Sequence, residues 1–385
     1  MDYKKLRILV TDGSGKQPLA MIRGLKDLGC SVSVLCGSKF DSCYASNKPD
    51  EKIVDECYKR RDEHTFNKWL SLVQNGQYDV IMPIGEDSTN LATKHEEELG
   101  KYVKLACAPR KVYIKAFNKQ ITFDQAMKSG IPCPYTRQSE QDIEDFLQHA
   151  KFPIIIKPRQ GLGSIGFHKF LTESEFRQRL ADESFNVDDY VVQEFVHFEH
   201  RIGANIFMDE FGNICTSYAV DVLRWFPLDA GAGVLVETID HPQILHYTAR
   251  LLKDLGWRGF ADVGFMIDKE TGEPRLLEIN GRIPASIKLG FSCGYNISKQ
   301  MLDMVFGEKV NQYPENRQFG KYLRHFDTDI AWFLNSPDRF KANPSWFTWK
   351  NTEEVLFWKD DCMPFFSQFF QKILSYRKIM KRKKH

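Results

Sequence analysis

Apolar residues recur in two rhythms along the first third of the chain. The stretches "LRILVTD" (6–12), "CSVSVLC" (30–36) and "YDVIMPI" (78–84) are short, nearly continuous apolar runs, the pattern of buried strands. Between them, "GSGKQPLAMIRGLKDLG" and "FNKWLSLVQNGQ" space their apolar residues for one face of a helix. Strand, helix and strand joined by short connections make a β-α-β unit. With the short strand "LACAP" added, residues 1–112 are expected to form an open parallel α/β domain.

The rhythm changes near Tyr113. "NKQITFDQAMKSG" reads as a helix closed by Gly130, and "IPCPYT" as an extended, proline-marked segment. Ser139 with Asp142 resembles a helix start ahead of "IEDFLQHA". "FPIIIKP" and "YVVQEFV" read as strands, with the helix "SEFRQRLA" between them. "RIGANIFMDEFGNICTSYAVDVLR" and "GFADVGFMIDKETGEPRLLEIN" alternate apolar and polar residues around turns, which predicts two antiparallel hairpins. The helix "HPQILHYTARLLKDLG" joins them. The middle of the chain is therefore α+β, unlike the first third.

Composition narrows the class without naming it. A chain of 385 residues with 42% hydrophobic and 27% charged residues has ample material for a core. A net charge of +2 does not suggest a nucleic-acid binder. The nine cysteines form no C-x-x-C pair, which favours reduced thiols over a disulfide framework or a zinc site. "MDYKKLRILV" shows no signal-peptide pattern, and no apolar run approaches transmembrane length. These features point to the cytoplasm.

Asp12 and Glu86 stand at ends of parallel strands, where such sheets collect ligands. They serve either a substrate or the caps of the following helices. "TDGSGKQ" fails the P-loop spacing, with Gln17 where a metal-ligating hydroxyl belongs, and reads as a tight turn.

"IIIKPRQGLGSIGFHKF" holds a G-x-G-x-x-G at Gly161, Gly163 and Gly166, with Ser164 inside it. A dinucleotide fingerprint leads into a helix, but this one leads into "FHKF", which has strand chemistry. Strand, glycine loop and strand make a flap whose backbone N–H groups can approach phosphate, or else a plain β-turn. Lys157 would place one positive charge beside it. In "VVQEFVHFE", Glu194 and the connector after it offer backbone groups to an adenine edge, and Glu199 offers an acceptor for ribose. In "RLLEINGR", Glu278 and Asn280 share one strand face and suit Mg²⁺; Arg282 follows on the same alternation. An ordinary polar strand face explains the last motif equally well.

Taken in order, these pieces resemble the ATP-grasp superfamily of ligases over residues 113–307. The resemblance implies a fold of two α+β subdomains (113–190 and 191–310) clasping ATP, preceded by the α/β domain and followed by a helical extension (311–385). It implies that Lys119 and Lys157 contact ATP phosphates, with the glycine loop Gly161, Gly163, Ser164 and Gly166 over them. Glu194, Phe195 and Val196 would frame adenine, and Glu199 ribose. Glu278 and Asn280 would hold Mg²⁺, and Arg282 would steady the transferred phosphoryl group. The family's third metal ligand falls near Gly264, which has no side chain. Either Asp262, two residues away on the same face, replaces it, or one metal is held by Glu278 alone. The implied activity is an ATP-dependent carboxylate–amine ligase working through an acyl-phosphate. The alternatives are a non-catalytic ATP-binding regulator or scaffold, and a ligase with a thiol acceptor. A finer resemblance is to D-aspartate ligase-like and carbamoyl-phosphate-synthase-like proteins of surface-polysaccharide clusters. The ligase resemblance implies small-molecule carboxylate and amine substrates and, as a family expectation, a homodimer; the finer one implies a role in cell-envelope or surface-polysaccharide biosynthesis, with a lipid- or sugar-linked acceptor if the chain works at a membrane. Arg224 is a candidate for a substrate carboxylate, with an exposed hairpin arginine as the equal alternative.

The chain closes on "MPFFSQFFQKILSYRKIMKRKKH". Phe365, Phe366, Phe369, Phe370, Ile373 and Leu374 recur at helical spacing, and basic residues follow without an acid. Such stripes usually pack on a core, but the basic end also suits peripheral contact with the inner face of a membrane.

Overall fold

The computed structural model describes all residues except 57, 59–61, 162–165, 229–230, 314–317 and 383–385, and side chains of the last helix as far as Lys372. Cys57, Gly163 and Ser164 thus lie outside the described residues, as do the side chains of Ile373 and Leu374. Two compact units form. Unit 1 is Met1–Pro109, Val222–Ile239 and Arg282–His385; unit 2 is Arg110–Asp221 and Asp240–Gly281.

Unit 1 opens with a five-stranded parallel sheet: β1 (Arg7–Val10), β2 (Ser31–Cys36), β3 (Glu51–Val54), β4 (Val80–Met82) and β5 (Lys104–Leu105). Its order is β3-β2-β1-β4-β5, so the winding reverses between β1 and β4. One face packs Leu9, Leu35 and Ile81 against Phe66, Trp69 and Val73 of the helix Glu63–Gln74. The sequence pattern shows four of these strands. β3 is an edge strand with no fully buried position, so it lacks the apolar run that marks the others.

Asp12 ends β1 with a left-handed φ of 65° and is 7% exposed. Its carboxylate accepts from Gly85 N at 2.9 Å and Ser88 Oγ at 2.8 Å. It therefore caps the helix after β4 rather than the helix that follows it in sequence. The turn after it needs glycine: a Cβ on Gly13 would lie 2.8 Å from Leu35 O.

In unit 2, β6 (Ile154–Pro158) pairs antiparallel with β7 (His168–Phe170) and with β8 (Tyr190–Glu194). The glycine-rich segment joins two paired strands, as the sequence implies. Ile154 and Ile156 turn into a core with Phe146, Phe176 and Val192. The helix below starts at Ile143 with Asp142 as its cap. Ser139 instead donates to Asp124, so the expected cap role at Ser139 is corrected.

The second sheet of unit 2 is built from β9 (Phe198–Met208), β10 (Ile214–Phe226) as far as Asp221, β12 (Gly259–Asp268) and β13 (Pro274–Asn280); the end of β10 from Val222 on, and β11 (Ala232–Ile239), belong to unit 1. β9 pairs antiparallel with both β10 and β12, and β12 with β13. The glycine after β13 is demanded by packing, because a Cβ on Gly281 would meet Trp257 at 2.6 Å and Tyr113 at 3.2 Å.

The C-terminal part of unit 1 adds two short strands, β14 (Tyr322–Arg324) and β15 (Thr352–Glu354), to its helices. β14 pairs antiparallel with β11 and parallel with β15. The eight described cysteines outside position 57 are free thiols.

Candidate active site

Strand alternation decides where Lys157 points. Its neighbour Ile156 faces the core, so Lys157 faces the opposite side of β6. There its Nζ donates to Leu277 O at 3.2 Å and stands 4.5 Å from the centre of the Phe123 ring. Burial pulls the amine down to about 8; Glu278 opposes that shift and Lys119 adds to it. The two lysines and the glutamate therefore sense one another within one unit.

Lys119 opens the helix Lys119–Lys128, whose cap is the Asn118 side chain. Its backbone N–H donates to Arg159 O at 2.8 Å, and its Nζ donates to Gly161 O at 2.9 Å. Both lysines thus stand at the base of the glycine hairpin. Gly161 and Gly166 have φ of 133° and 77°, values that favour glycine.

Leu277 is free to receive Lys157 because of a bulge. Gly264 pairs with Glu278, but Phe265 pairs with Leu276, so Leu277 has no residue opposite it. Beyond the bulge, Asp262 pairs with Asn280. Asn280 Nδ2 donates to Asp262 Oδ2 at 3.3 Å, which ties the amide to the carboxylate across the strand pair. Glu278, Asn280 and Asp262 are all half-buried. Among the described residues, no three His, Cys, Asp or Glu side chains gather as a metal cage. Any metal shell here needs an amide carbonyl as well as the carboxylates.

Arg201 went unnoticed in the sequence. Burial lowers its guanidinium and Glu278 pushes it back up, which places it in the same electrostatic environment. The signal was present: in "RIGAN", positions 201, 203 and 205 share one strand face.

The hinge segment is tied down by its backbone. Glu194 Oε1 accepts from Lys151 N at 2.6 Å, and Phe195 N donates to Pro153 O at 2.9 Å. Lys169, another residue the sequence reading passed over, holds its Nζ 3.4 Å above the Phe195 ring. Val196 is half-buried and Glu199 exposed.

Two expected site residues lie in unit 1. Arg282 is the first residue of its last segment, and its Nη1 donates to Ile283 O at 3.4 Å. Arg224 is no exposed hairpin arginine: it is 3% exposed, its Nε lies 3.1 Å from Asp329, and it stacks 5.0 Å from Trp332. Arg324 shares the same Asp329 carboxylate at 3.1 Å. The guanidinium proposed for a substrate carboxylate is thus engaged by a carboxylate of its own unit.

The chain is similar to known proteins in both sequence and fold. It is 23% identical over 348 residues to the carbamoyl phosphate synthase large chain of Thermotoga petrophila, covering 86% of this chain and 31% of that one. It is 22% identical to the N-terminal section of the Methanopyrus kandleri large chain, covering 68% of this chain and 49% of that section. It therefore spans about a third to a half of the length of these relatives. Among solved structures it resembles the biotin carboxylase domain of Hydrogenobacter thermophilus 2-oxoglutarate carboxylase, in complex with MgADP, ADP and bicarbonate. That match has a TM-score of 0.67 at 17% identity and covers 82% of this chain and 73% of that one. N5-carboxyaminoimidazole synthetase from Staphylococcus aureus, complexed with ADP, matches with a TM-score of 0.65 at 16% identity, over 88% and 87% of the two chains. Both likenesses establish the fold. The family model for the carbamoyl-phosphate synthase L chain ATP-binding domain matches residues 115–313, more than half of the sequence, and the chain belongs to that ATP-grasp family.

Proposed function

We propose that this chain is an ATP-dependent ligase that joins a carboxylate to an amine. The observation that carries the reading is the meeting of Lys157 with the Leu277 carbonyl, one residue before Glu278 and within electrostatic reach of Lys119. Two cations and a carboxylate-bearing strand around a glycine hairpin suit a nucleoside triphosphate with its metal. Lys119 and Lys157 serve the phosphates, and the backbone at Gly161 and Gly166 covers them. Glu194, Phe195 and Val196 frame the adenine, and Glu199 the ribose. Glu278, Asn280 and Asp262 would hold Mg²⁺, which would offset charge on the phosphoryl oxygens. Arg282 keeps the phosphoryl role that the resemblance gives it. A substrate carboxylate attacks the γ-phosphorus and ADP leaves; an amine then attacks the acyl-phosphate carbonyl and phosphate leaves. A closed hairpin keeps water from the acyl-phosphate.

The test is release of ADP and phosphate with pooled carboxylic acids and amines, read beside product masses. Wild type should turn over with some pair, and Glu278→Ala should lose at least a hundredfold. A turnover equal in both proteins would sink the proposal. A nucleotide-binding protein without catalysis is the second reading, favoured by the missing side chain at Gly264. It predicts ATP binding without product from any pool.

A membrane-surface role draws support from the last helix, Met363–Arg382. Its aromatic stripe divides. Phe365 packs toward Phe326 and Phe357, whereas Phe366 and Phe370 are 43% and 62% exposed. Phe40, 67% exposed, adjoins them through Ser367 Oγ, which donates to its carbonyl at 2.6 Å. Among the described residues, nine of the nineteen exposed large apolar side chains fall after Val310, so this region carries far more than its share. No described helix is long and apolar enough to cross a membrane. Aromatic side chains beside a basic helix end fit an anionic lipid surface, and with it a lipid-linked acceptor.

A further inference from the structure

Two rows of side chains cross the polar face of the unit 2 sheet. One row runs Glu278, Gly264, Gly203 and Val220; the next runs Asn280, Asp262, Asn205 and Tyr218. Two adjacent glycines leave a gap in the first row, beside Glu278. The gap over Gly203 is bordered from the second row: a Cβ there would lie 2.9 Å from Asp262 Oδ1 and 3.8 Å from Asn205 Nδ2. A Cβ on Gly264 would lie 3.9 Å from Glu278 Cγ. Asn205 is fully buried, and neither its Oδ1 nor its Nδ2 has a hydrogen-bond partner.

An orphaned buried amide is costly and calls for an explanation. A half-turn of the side chain exchanges its oxygen and nitrogen, and no hydrogen bond is lost by it. Either way the amide looks onto the glycine-floored gap that Asp262 Oδ1 already enters. Two carboxylates and an amide carbonyl are the hard oxygen donors that Mg²⁺ prefers.

We propose that the gap over Gly203 and Gly264 seats a divalent cation held by Asp262, Asn205 and Glu278, which displaces the third metal position one row along the sheet. The proposal rests on the ATP-site reading, because phosphate and water would complete the shell. Gly203 is then a ligand-admitting glycine: any side chain there would push Asp262 out. Gly264 is the position left empty by the move. A Cβ on it meets nothing closer than 3.6 Å, so it has room for the side chain it lacks.

The test titrates Mn²⁺ into the full-length protein and counts bound ions by electron paramagnetic resonance, with and without ADP. ADP affinity is measured separately in EDTA, and thermal melting checks folding. Gly203→Ala and Asn205→Leu should each weaken the tightest Mn²⁺ at least tenfold, with ADP affinity in EDTA within twofold of wild type. Adding Gly264→Gln to Gly203→Ala should recover the loss. Asn205→Leu should melt no lower than wild type, since no hydrogen bond is removed. The proposal is overturned if both variants bind Mn²⁺ within twofold of wild type, or if Asn205→Leu melts lower. Mn²⁺ binding that needs Asn205 in a protein with no ADP affinity would keep the cation seat and end the ligase reading.

Discussion

Lys157→Met separates what burial costs the fold from what the charge is for. The amine falls from 10.5 to about 8, chiefly through burial. At about 1.4 kcal/mol per pKa unit, holding it charged costs the folded state about 3 kcal/mol at pH 7. Methionine keeps the apolar stem over Phe123 and removes the charge. It also removes the bond to Leu277 O, worth about 1.5–3 kcal/mol for a charged donor. The two nearly cancel at pH 7, so the pH dependence is the signature. An unfolded lysine keeps its proton to about pH 10.5, whereas the folded one releases it near pH 8. Between those values the unfolded chain binds more protons, and wild-type stability must rise with pH. The variant has no such rise. Wild type should gain about 3 kcal/mol on it from pH 8 to 10.5, read by urea titration without nucleotide. Nucleotide phosphates should restore the proton, so wild-type ADP affinity should fall about tenfold per unit above pH 8. The variant should bind weakly throughout. Parallel stability curves for the two proteins would refute the burial argument.

Three further outcomes follow from unit 1 and the tail. Burial raises Glu354 from 4.5 to about 7, so the folded state binds the extra proton and loses stability as pH climbs through that window. Glu354→Gln, which keeps an acceptor for Leu356 N, should be about 2–3 kcal/mol more stable than wild type at pH 8 and equal to it near pH 4.5 by urea titration. Arg224→Met should destabilise by about 3–5 kcal/mol, because Asp329 is fully buried and, among the described residues, keeps only Arg324 as a charged partner; a loss under 1 kcal/mol by the same assay would count against the buried pair. Flotation with anionic liposomes should recover the protein at low salt, and Phe366→Ser with Phe370→Ser should abolish recovery; no salt-sensitive binding by wild type removes the membrane reading.

What the sequence could reveal depended on how local the cause was. The glycine hairpin is legible because its neighbours, "FPIII" and "FHKF", are themselves strand-like. Glu278 and Asn280 are legible because period two on one strand fixes their shared face. Arg224 is not: the residues that bury it, Asp329 and Trp332, lie over a hundred positions away, and a hairpin arginine looks the same with or without them. Asp12 is half legible. Capping is foreseeable for an aspartate at a strand end, but the capped helix follows β4, and only the sheet order brings it near. Arg201 needed both alternation within "RIGAN" and the pairing of β9 with β12, and the second is a tertiary fact.

The residues at 203, 262 and 264 make sense only together. Read singly, Gly264 looks like a lost ligand and an impaired site, Asp262 like a polar residue on a strand, and Gly203 like a flexible point in β9. The register removes that independence. Gly203 and Gly264 are cross-strand partners, and Asp262 sits one row away with its Oδ1 over Gly203. A side chain at 203 would force Asp262 aside, so the carboxylate can reach the face beside Glu278 only if 203 is glycine. On the proposed cation seat, the sheet face would draw its oxygen donors from positions 262 and 205 in place of 264. A site judged by one missing residue would be called defective, whereas under the proposed cation seat Asp262 and Asn205 would supply the donor that Gly264 lacks.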